Sequence, residues 1–542
     1  MKIMKRLTQV GLAVLIAGSV LLLKGSSPLV TTATAQTQDK AQQQAKESTR
    51  SAPSDTTPYT RPALPEDSAP RGVRAIPLLP GLSSIIVDTV VNNTDPNLTN
   101  TDTFNDGETS IAVNPANPNE IVITAFSGSW GADAPLWHST DGGNIWTKQF
   151  TIPAPPGVAA AGCPCDQAVD YGRNNQMSGT FLIDDDVFSG TSTNPASAAA
   201  WNWLVIAGVT QRTNHLVPSS FGNADQPWLL VNRDPTTPTQ DDVYAAYDDF
   251  SGGPDMRVAV SFGVNPPNFT IDNQSGTSTG GVNPGHRLAV DRQTGFVYSL
   301  FERCVGNCGG DPKNINYMLN RSTNGGATWI LNALPGGIIV ANADSTQPQP
   351  KFGTVNALLG GVDHAAVDPN TGDVYYVYGN RDPATTNNRL AIRRIFDNGI
   401  GGVTVGPEHF VTGQVQAAIP SVAVASNGIV GVFYYTFDGF SSGFPIFSAH
   451  LAQSSDQGVT FSDQVLETFL SSAADNGNPR QRVLGDYMQM KAVGACFSGA
   501  FTGNGVPFGR PFSNHDPIFF TVCPGSRPNP IPRPRPTPPP RP

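Results

Sequence analysis

The stretch Ser139-Thr140-Asp141-Gly142-Gly143-Asn144-Ile145-Trp146 occurs in three versions along the chain. The second is Ser322-Thr323-Asn324-Gly325-Gly326-Ala327-Thr328-Trp329, and the third is Ser454-Ser455-Asp456-Gln457-Gly458-Val459-Thr460-Phe461. In tight turns an Asp or Asn side chain accepts backbone N–H groups, and glycine adopts the positive φ angles that the turn requires. Each version therefore predicts a hairpin turn whose closing Trp or Phe packs into a sheet.

The shared pattern, Ser-x-Asp-x-Gly-x-x-Trp, resembles the Asp box, or BNR repeat, of the sialidase superfamily. The first version is complete, the second has Asn for Asp, and the third has Phe for Trp. The resemblance implies a β-propeller in which the boxes lie on outer hairpins, away from the active centre. We therefore expect a structural role for Ser139, Asp141, Gly143, Trp146, Ser322, Asn324, Gly326, Trp329, Ser454, Asp456, Gly458 and Phe461.

A second repeat consists of a polar residue, a short strand often ending in Val-Asp or Val-Asn, a turn, and a Val/Tyr-rich strand. Its seven first strands are predicted at 108–114, 166–170, 225–232, 286–291, 363–368, 420–425 and 486–493. Because sheets that cannot bury both faces gain a core by radial stacking, these repeats predict an all-β propeller over residues 82–524. We expect seven four-stranded blades, with six, as in the enzymatic sialidases, as the alternative.

The composition agrees with a protein made of strands and turns. The 542 residues include 55 Gly and 48 Pro, and only 14% are charged. The formal net charge is -10, but residues 1–35 and the C-terminal tail each hold four basic residues and no acidic one. Without these ends, 25 basic residues face 43 acidic ones, a net charge of -18. Such a field repels phosphate backbones, so we expect no nucleic-acid partner.

The first 35 residues have the three parts of a secretory signal peptide. A basic start, Met1 to Arg6, precedes an apolar run from Val10 to Leu23, and Ala33-Thr34-Ala35 forms a cleavage site. The apolar run is too short to span a bilayer comfortably. These features predict a secreted protein, extracellular or periplasmic, with no membrane span in the mature chain; an uncleaved anchor is the alternative.

Two further segments differ in composition from a folded domain. Residues 36–81, rich in Ser, Thr, Gln and Pro, predict a disordered spacer. Residues 525–542, rich in Pro and Arg, predict an extended tail that is either a spacer or a contact to cell-wall polyanions. Between them, Ser84–Val91 predicts a strand that completes the last blade and closes the ring.

Export makes the six cysteines disulfide candidates. Cys304 and Cys308 bracket a short loop, and Cys496 and Cys523 flank the predicted last blade. A bridge within Cys163-Pro164-Cys165 would be strained, so either cysteine could instead pair with another loop. No Cys/His cluster has the ligand spacing of a zinc site.

In a propeller the first residues of the repeats converge around the central channel. Here the predicted binding residues at these positions are Glu108, Asp166, Asp225, His286, Arg287, Asp363 and Asp486. Carboxylates gathered in this way shift each other's pKa values, bind cations or meet polar substrates. The set therefore predicts an acidic channel that binds a glycan or a cell-surface protein. Alternatively, each acid caps a strand end by accepting a backbone N–H.

A run of three acids, Asp184, Asp185 and Asp186, follows a predicted second strand. Calcium favours several hard oxygen ligands from loops, so this run predicts a Ca²⁺ site. The alternative is a solvated turn. The predicted function requires no cofactor, and Ca²⁺ is an optional ligand of this run.

The enzymatic sialidases use three arginines on the substrate carboxylate, a Tyr nucleophile activated by Glu, and an Asp acid/base. A Phe/Tyr-Arg-Ile-Pro motif supplies the first arginine, and this sequence lacks it. By residue type, Tyr487 is the candidate nucleophile, Glu302 its candidate partner, and Asp486 a further catalytic candidate. The candidate carboxylate ligands are Arg287, Arg303, Arg381 and Arg482.

A nearer resemblance covers residues 100–522. The repeat Ala366–Tyr375 and the run Leu484-Gly485-Asp486-Tyr487 resemble secreted bacterial sialidase-like repeat proteins that have no established activity. The resemblance implies fold and export but leaves the substrate open. No elbow motif of serine hydrolases, zinc-protease motif, P-loop or dinucleotide fingerprint is present.

Two functions fit these observations. The first is a secreted, monomeric binding propeller that presents an acidic channel to a glycan or a cell-surface protein. The alternative is an exo-acting, sialidase-like glycoside hydrolase that uses channel carboxylates and Tyr487. The hydrolase predicts two or three arginines converging with Tyr487 and an acid in one pocket, whereas the binding module predicts acids and aromatic residues without that cluster.

Overall fold

A computed structural model gives the fold of the chain. It describes residues 74–76, 85–89, 107–126, 135–144, 146–159, 166–172, 174–234, 236–263, 265–279, 284–308, 312–345, 364–382, 384–385, 388–411, 416–442, 444–471, 484–485, 487–503 and 516–525. The predicted signal peptide, most of the predicted spacer and the tail beyond residue 525 lie outside the described residues. Among the candidate residues, the same holds for Asp363, Arg482, Asp486 and the Cys163–Cys165 run.

The first strands of the chain are short, and two four-stranded antiparallel sheets follow them. The short strands are β1 (Arg74–Ile76) and β2 (Ile85–Thr89). Blade 1 comprises β3 (Gly107–Val113), β4 (Ile121–Phe126), β5 (Pro135–Ser139) and β6 (Thr147–Thr151). Blade 2 comprises β7 (Gln167–Tyr171), β8 (Met177–Ile183), β9 (Asp186–Ser192) and β10 (Trp201–Trp203), followed by a hairpin of β11 (Val205–Ile206) and β12 (Val209–Thr210).

The next four blades have the same antiparallel order. Blade 3 comprises β13 (Ala224–Arg233), β14 (Asp241–Asp249), β15 (Asp255–Phe262) and β16 (Phe269–Thr277). Blade 4 comprises β17 (Arg287–Val290), β18 (Val297–Gly306), β19 (Lys313–Ser322) and β20 (Ile338–Ser345). Blade 5 comprises β21 (His364–Val367), β22 (Val374–Arg381), β23 (Asn388–Asp397) and β24 (Val403–Phe410). Blade 6 comprises β25 (Ala417–Val424), β26 (Val430–Ser441), β27 (Phe444–Ser454) and β28 (Ser462–Leu470). Short 3₁₀ helices span Ala198–Ala200, Pro218–Ser220 and Gly399–Gly401.

Blade 7 is assembled from both ends of the chain. Its strands β29 (Gln489–Val493), β30 (Cys496–Gly503) and β31 (Asp516–Val522) continue across the sheet into β2 and then β1. Ile85 lies opposite Val522 in this antiparallel pairing. The prediction of seven blades, with a strand near residue 85 closing the ring, is therefore confirmed. The structure adds β1, which lies inside the predicted spacer and pairs with the free edge of β2.

The inner strands are buried because neighbouring blades cover both faces of each sheet. Every residue of β7 and β8 is buried, and β8 is rich in the apolar and aromatic residues that suit such strands. Across the ring, side chains of one first strand accept N–H groups from the next. Ser110 accepts from Val169 (3.0 Å) and Ser421 accepts from Met490 (2.9 Å). These bonds fix the register between blades.

The three repeat turns, defined as residues 139–146, 322–329 and 454–461, join third to fourth strands in blades 1, 4 and 6. In the first, the Ser139 hydroxyl donates to Asp141 (2.9 Å) and accepts the Gly143 N–H (2.9 Å). The same pair of bonds recurs in the other two turns, at 2.8–3.0 Å. Gly143 has φ 90°, and an added Cβ there would lie 2.2 Å from the Phe519 ring of blade 7. The turn thus packs one blade against the preceding one.

Two disulfides join Cys304 to Cys308 and Cys496 to Cys523, so four of the six disulfide candidates are paired. The second ties the start of β30 to the residue that follows β31. Disulfides persist in oxidising compartments, so they indicate an extracytoplasmic location. Within the described part of the chain, no helix has the length and apolar character needed to cross a membrane.

Candidate functional site

The channel axis is occupied by side chains from four blades, which we call the axial cluster: Trp228, Arg287, His364 and Tyr487. The Trp228 and Tyr487 rings meet edge to face with centroids 5.6 Å apart, and His364 meets Trp228 at 5.8 Å. The Arg287 guanidinium carbon lies 4.6 Å from the Trp228 ring centroid and 5.1 Å from that of Tyr487. Trp228, Arg287 and Tyr487 are buried, so the cluster closes the channel.

The Arg287 guanidinium is held by neutral oxygens. It donates to the His286 carbonyl (2.8 Å) and to Oε1 of Gln226 (2.8 Å). Its Nε has no hydrogen-bond partner among the described residues. Gln226 has φ 51° at a bulge in β13, and this bulge turns the amide toward the axis. The arrangement places a buried positive charge at the centre of an acidic protein.

Tyr487 is engaged with the backbone of blade 2. Its hydroxyl accepts the Gln167 N–H (2.8 Å) and donates to the Gln167 carbonyl (3.0 Å). Burial raises the pKa of Tyr487 well above its ordinary value, and the charges of Glu108 and Asp166 act in the same direction. The phenol therefore stays protonated, which is the opposite of what a nucleophile needs.

Tyr487→Phe is expected to lower the free energy of unfolding by roughly 1–3 kcal/mol, because it leaves the buried Gln167 N–H without an acceptor. Urea denaturation of both proteins measures the difference. Tyr376→Phe is the matched control, since the Tyr376 hydroxyl donates to the neutral Met318 carbonyl over a longer distance, 3.3 Å. Equal stability of Tyr487→Phe and the unaltered protein would contradict this role.

The predicted ring of acids is gathered but mostly buried. Glu108 and Asp166 lie close enough to Tyr487 for their charges to affect its pKa. Both are buried, and Glu108 has φ 53° at a bulge in β3. Asp225 is half-buried and lies opposite Asp248 in blade 3. The structure thus places Glu108 and Asp166 beside the axial cluster and leaves Asp225 partly accessible.

His286 is fully buried between blades 3 and 4 rather than facing the channel. Its Nε2 lies 2.8 Å from the Ser299 hydroxyl, and its Nδ1 lies 3.4 Å from the Tyr247 carbonyl and 4.0 Å from Asp248. Since a carbonyl only accepts, Nδ1 carries the proton and Nε2 accepts from Ser299. Burial lowers the pKa of His286 to about 3, and the hydrogen bond to Tyr247 only partly opposes this.

The remaining hydrolase candidates are spread over other parts of the propeller. Glu302 is buried near the end of β18, where its N–H donates to the Pro284 carbonyl (2.7 Å). Arg303 donates to the Thr277 carbonyl (2.9 Å), and Arg381 ends β22 in blade 5. Among the described arginines, Arg287 alone contacts Tyr487.

The three acids proposed as calcium ligands have other roles in the fold. Asp184 and Asp185, with φ 50° and 58°, are the two central residues of the hairpin turn between β8 and β9. Asp186 pairs with Arg212 (2.7 Å) and accepts the Gly222 N–H (3.2 Å). In the described ranges, no three His, Cys, Asp or Glu side chains are grouped to hold a metal ion.

A cavity of about 490 Å³ lies in the channel beside the axial cluster. It opens at the turn face, defined as the face with the turns that join first to second strands, such as Arg292-Gln293. Most of its lining residues are aliphatic, and its polar groups include those of Asp170, Gln489 and Lys491. Sequence reasoning missed these three residues, although Asp170 occupies the recurring Val-Asp position at the end of a first strand.

Comparison with known proteins gives structural matches only. No protein-family model and no curated protein sequence matches the chain. It is similar to a protein of unknown function from Dyadobacter fermentans, with a TM-score of 0.40, 10% identity, and coverage of 82% of this chain and 99% of that one. It is also similar to the GH93 α-L-arabinofuranosidase of Fusarium graminearum solved with arabinobiose, with a TM-score of 0.38, 10% identity, and coverage of 77% of this chain and 93% of that one. A third similar structure is the phage phi92 endosialidase, with a TM-score of 0.38, 7% identity, and coverage of 81% of this chain and 69% of that one. The seven-blade assignment rests on the strand pairing of this chain itself.

Proposed function

We propose that the protein is a secreted binding propeller that takes a glycan at the end of the channel where the first strands begin. The single observation that supports this is the convergence on Tyr487, where Glu108, Asp166 and Arg287 lie close enough for their charges to act on its hydroxyl and Trp228 packs against its ring. Carboxylates accept hydrogen bonds from sugar hydroxyls, and Asp225, half-buried on the same strand as Trp228, offers a partly accessible one.

The charges favour a neutral or amine-bearing glycan over an acidic one. Outside its two basic ends the chain has a net charge of -18, which repels anionic ligands. An acidic sugar also needs several cationic groups, whereas Arg287 is the one arginine that contacts Tyr487 among the described residues. The sugar class is therefore predicted to lack a carboxylate.

Asp225→Asn is expected to weaken glycan binding about tenfold, because a charge-assisted hydrogen bond is replaced by a weaker neutral one. Titration calorimetry with a panel of neutral and amine-bearing oligosaccharides measures the affinity. Asp344→Asn, an equivalent change at an exposed position on the outer strand β20, is the matched control and should bind as the unaltered protein does. Absence of binding to every sugar by well-folded protein would contradict the proposal.

The hydrolase alternative is favoured by one observation, the presence of Tyr487 beside Arg287 and two carboxylates. It is opposed by the raised pKa of Tyr487 and by the hydrogen bonds that bind its hydroxyl to Gln167. Hydrolysis of fluorogenic glycosides, including a sialoside, separates the two functions. Turnover that disappears in a folded Tyr487→Phe variant would establish the hydrolase, and no turnover is the result we expect.

A further inference from the structure

The cavity at the turn face differs in chemistry from the acidic end of the channel. Most of its lining residues have aliphatic side chains, including several from the first strands β21 and β25. Its volume of about 490 Å³ lies within the range of small-molecule sites, which are apolar pockets with a few convergent polar groups.

The charged groups on the wall compensate one another. Lys491 lies 3.4 Å from Asp170, and the buried Asp170 carboxylate also accepts the Val231 N–H (2.9 Å). At the mouth, Asp291 and Arg292 carry opposite charges on adjacent residues. An ion entering the cavity would lose its hydration, and the inner wall charges of Lys491 and Asp170 are already paired with each other, so the wall favours an uncharged ligand.

The same wall contains a buried hydrogen-bond donor that has no partner among the described residues. Gln489 is 2% exposed, and its Oε1 accepts from the Ser110 hydroxyl (2.8 Å) and the Ile111 N–H (3.0 Å). These bonds fix the amide orientation, and its Nε2 has no hydrogen-bond partner among the described residues. A buried donor without an acceptor costs folding free energy, so an acceptor from a bound ligand would stabilise this group.

His364 supplies a second donor. Its Nδ1 accepts the Val422 N–H (3.1 Å), so in the neutral ring the proton is on Nε2. Burial lowers the pKa of His364 to about 3, together with the charges of Arg287 and Lys491, which keeps the ring neutral near pH 7. The ring borders the cavity, and its Nε2–H is a donor with a fixed tautomer.

We propose that this cavity binds an uncharged small molecule that has an apolar body and a carbonyl oxygen, with the oxygen accepting from Gln489 and His364. The apolar body lies against the aliphatic first strands. This site is independent of the glycan proposed for the other end of the channel, so either proposal can fail without the other.

The test uses prodan, a neutral naphthalene ketone whose emission shifts to the blue in apolar surroundings, with the full chain. We expect saturable binding at one site per chain with a dissociation constant in the micromolar range. Ala366→Phe fills the cavity from a half-buried wall position and should weaken binding at least tenfold. Ile400→Phe adds the same ring at a 91% exposed position of blade 5 and should leave binding unchanged.

A matched pair of competitors tests the carbonyl. We expect 2-acetylnaphthalene to displace prodan at about fivefold lower concentration than 2-ethylnaphthalene, which lacks the oxygen. If Ala366→Phe does not fold, Val367→Trp fills the same wall and replaces it. Lack of saturable binding, equal binding by the filled and unaltered proteins, or equal potency of the two competitors would overturn the proposal.

Discussion

Asp397→Asn is expected to lower the free energy of unfolding by about 3–5 kcal/mol, because it leaves the buried Arg321 guanidinium without its counter-charge. Arg321 in β19 of blade 4 donates from Nη1 to both carboxylate oxygens of Asp397 in blade 5, at 2.5 and 2.6 Å. The two side chains are only 4% and 6% exposed. Tyr298 also donates to this carboxylate, so the substitution affects a junction between two blades.

The measurement is chemical denaturation, with Asp382→Asn as the matched control. Asp382 pairs with Arg389 at 3.1 Å in the same blade, but this pair is more exposed and should contribute much less. The double variant Arg321→Met/Asp397→Leu removes both charges and should recover much of the stability lost in the single variant. A double variant that is less stable than Asp397→Asn would contradict the assignment of the loss to an uncompensated charge.

Lowering the pH from 7 to 5 is expected to reduce stability by about 2 kcal/mol through His286 alone. The folded-state pKa of His286 is lowered to about 3, whereas the unfolded chain titrates near the ordinary value of 6.5. Between these two values the unfolded state binds a proton that the folded state does not, so stability falls as the pH falls. Burial also lowers the pKa of His364 to about 3, so this residue acts in the same direction.

One buried acid acts against this trend. Burial raises the pKa of Asp272 to about 6, so protonation of its folded form between about pH 6 and 4 adds stability, by roughly 1 kcal/mol at pH 5. The two effects are separated by His286→Gln, which keeps a polar side chain but cannot titrate. The difference in unfolding free energy between pH 7 and pH 5 should shrink by about 2 kcal/mol in this variant. An unchanged difference would show that His286 is not the group that titrates.

Most of the fold could be predicted from local patterns. The first strands predicted at 108–114 and 225–232 lie within one residue of β3 (Gly107–Val113) and β13 (Ala224–Arg233), because apolar runs bounded by turn residues fix short strands well. The closing strand near Ile85 could be predicted because a lone strand before the repeats needs a partner. Strand β1 could not be predicted, because the three residues Arg-Ala-Ile have no local strand pattern. They form a strand only by pairing with the edge of β2.

The site was only partly predictable, because a linear pattern shows which residues approach the axis but not how they are paired. Tyr487 and Arg287 do meet, yet nothing local to Tyr487 shows that its hydroxyl is bound by the backbone of Gln167, 320 residues earlier. His286 is the first residue of its repeat, the position that acidic residues occupy in other repeats. Its side chain nevertheless lies in the junction between blades 3 and 4 and does not face the channel. No sequence pattern marks Gln489 and Lys491 as cavity residues, because their positions on the wall depend on partners in blades 1 and 2.

Because β2 pairs with β31, the ring can close only after nearly the whole chain has been translated. Ile85 pairs with Ile76 on one side, but its other edge has no strand partner until Val522 has been synthesised, so the contact that ends assembly spans nearly the whole propeller. Contacts this distant in sequence form late, after the costly closure of a very long loop. A ribosome that stops early therefore releases a chain with the exposed edges of an open ring, the kind of surface on which chaperones and proteases act.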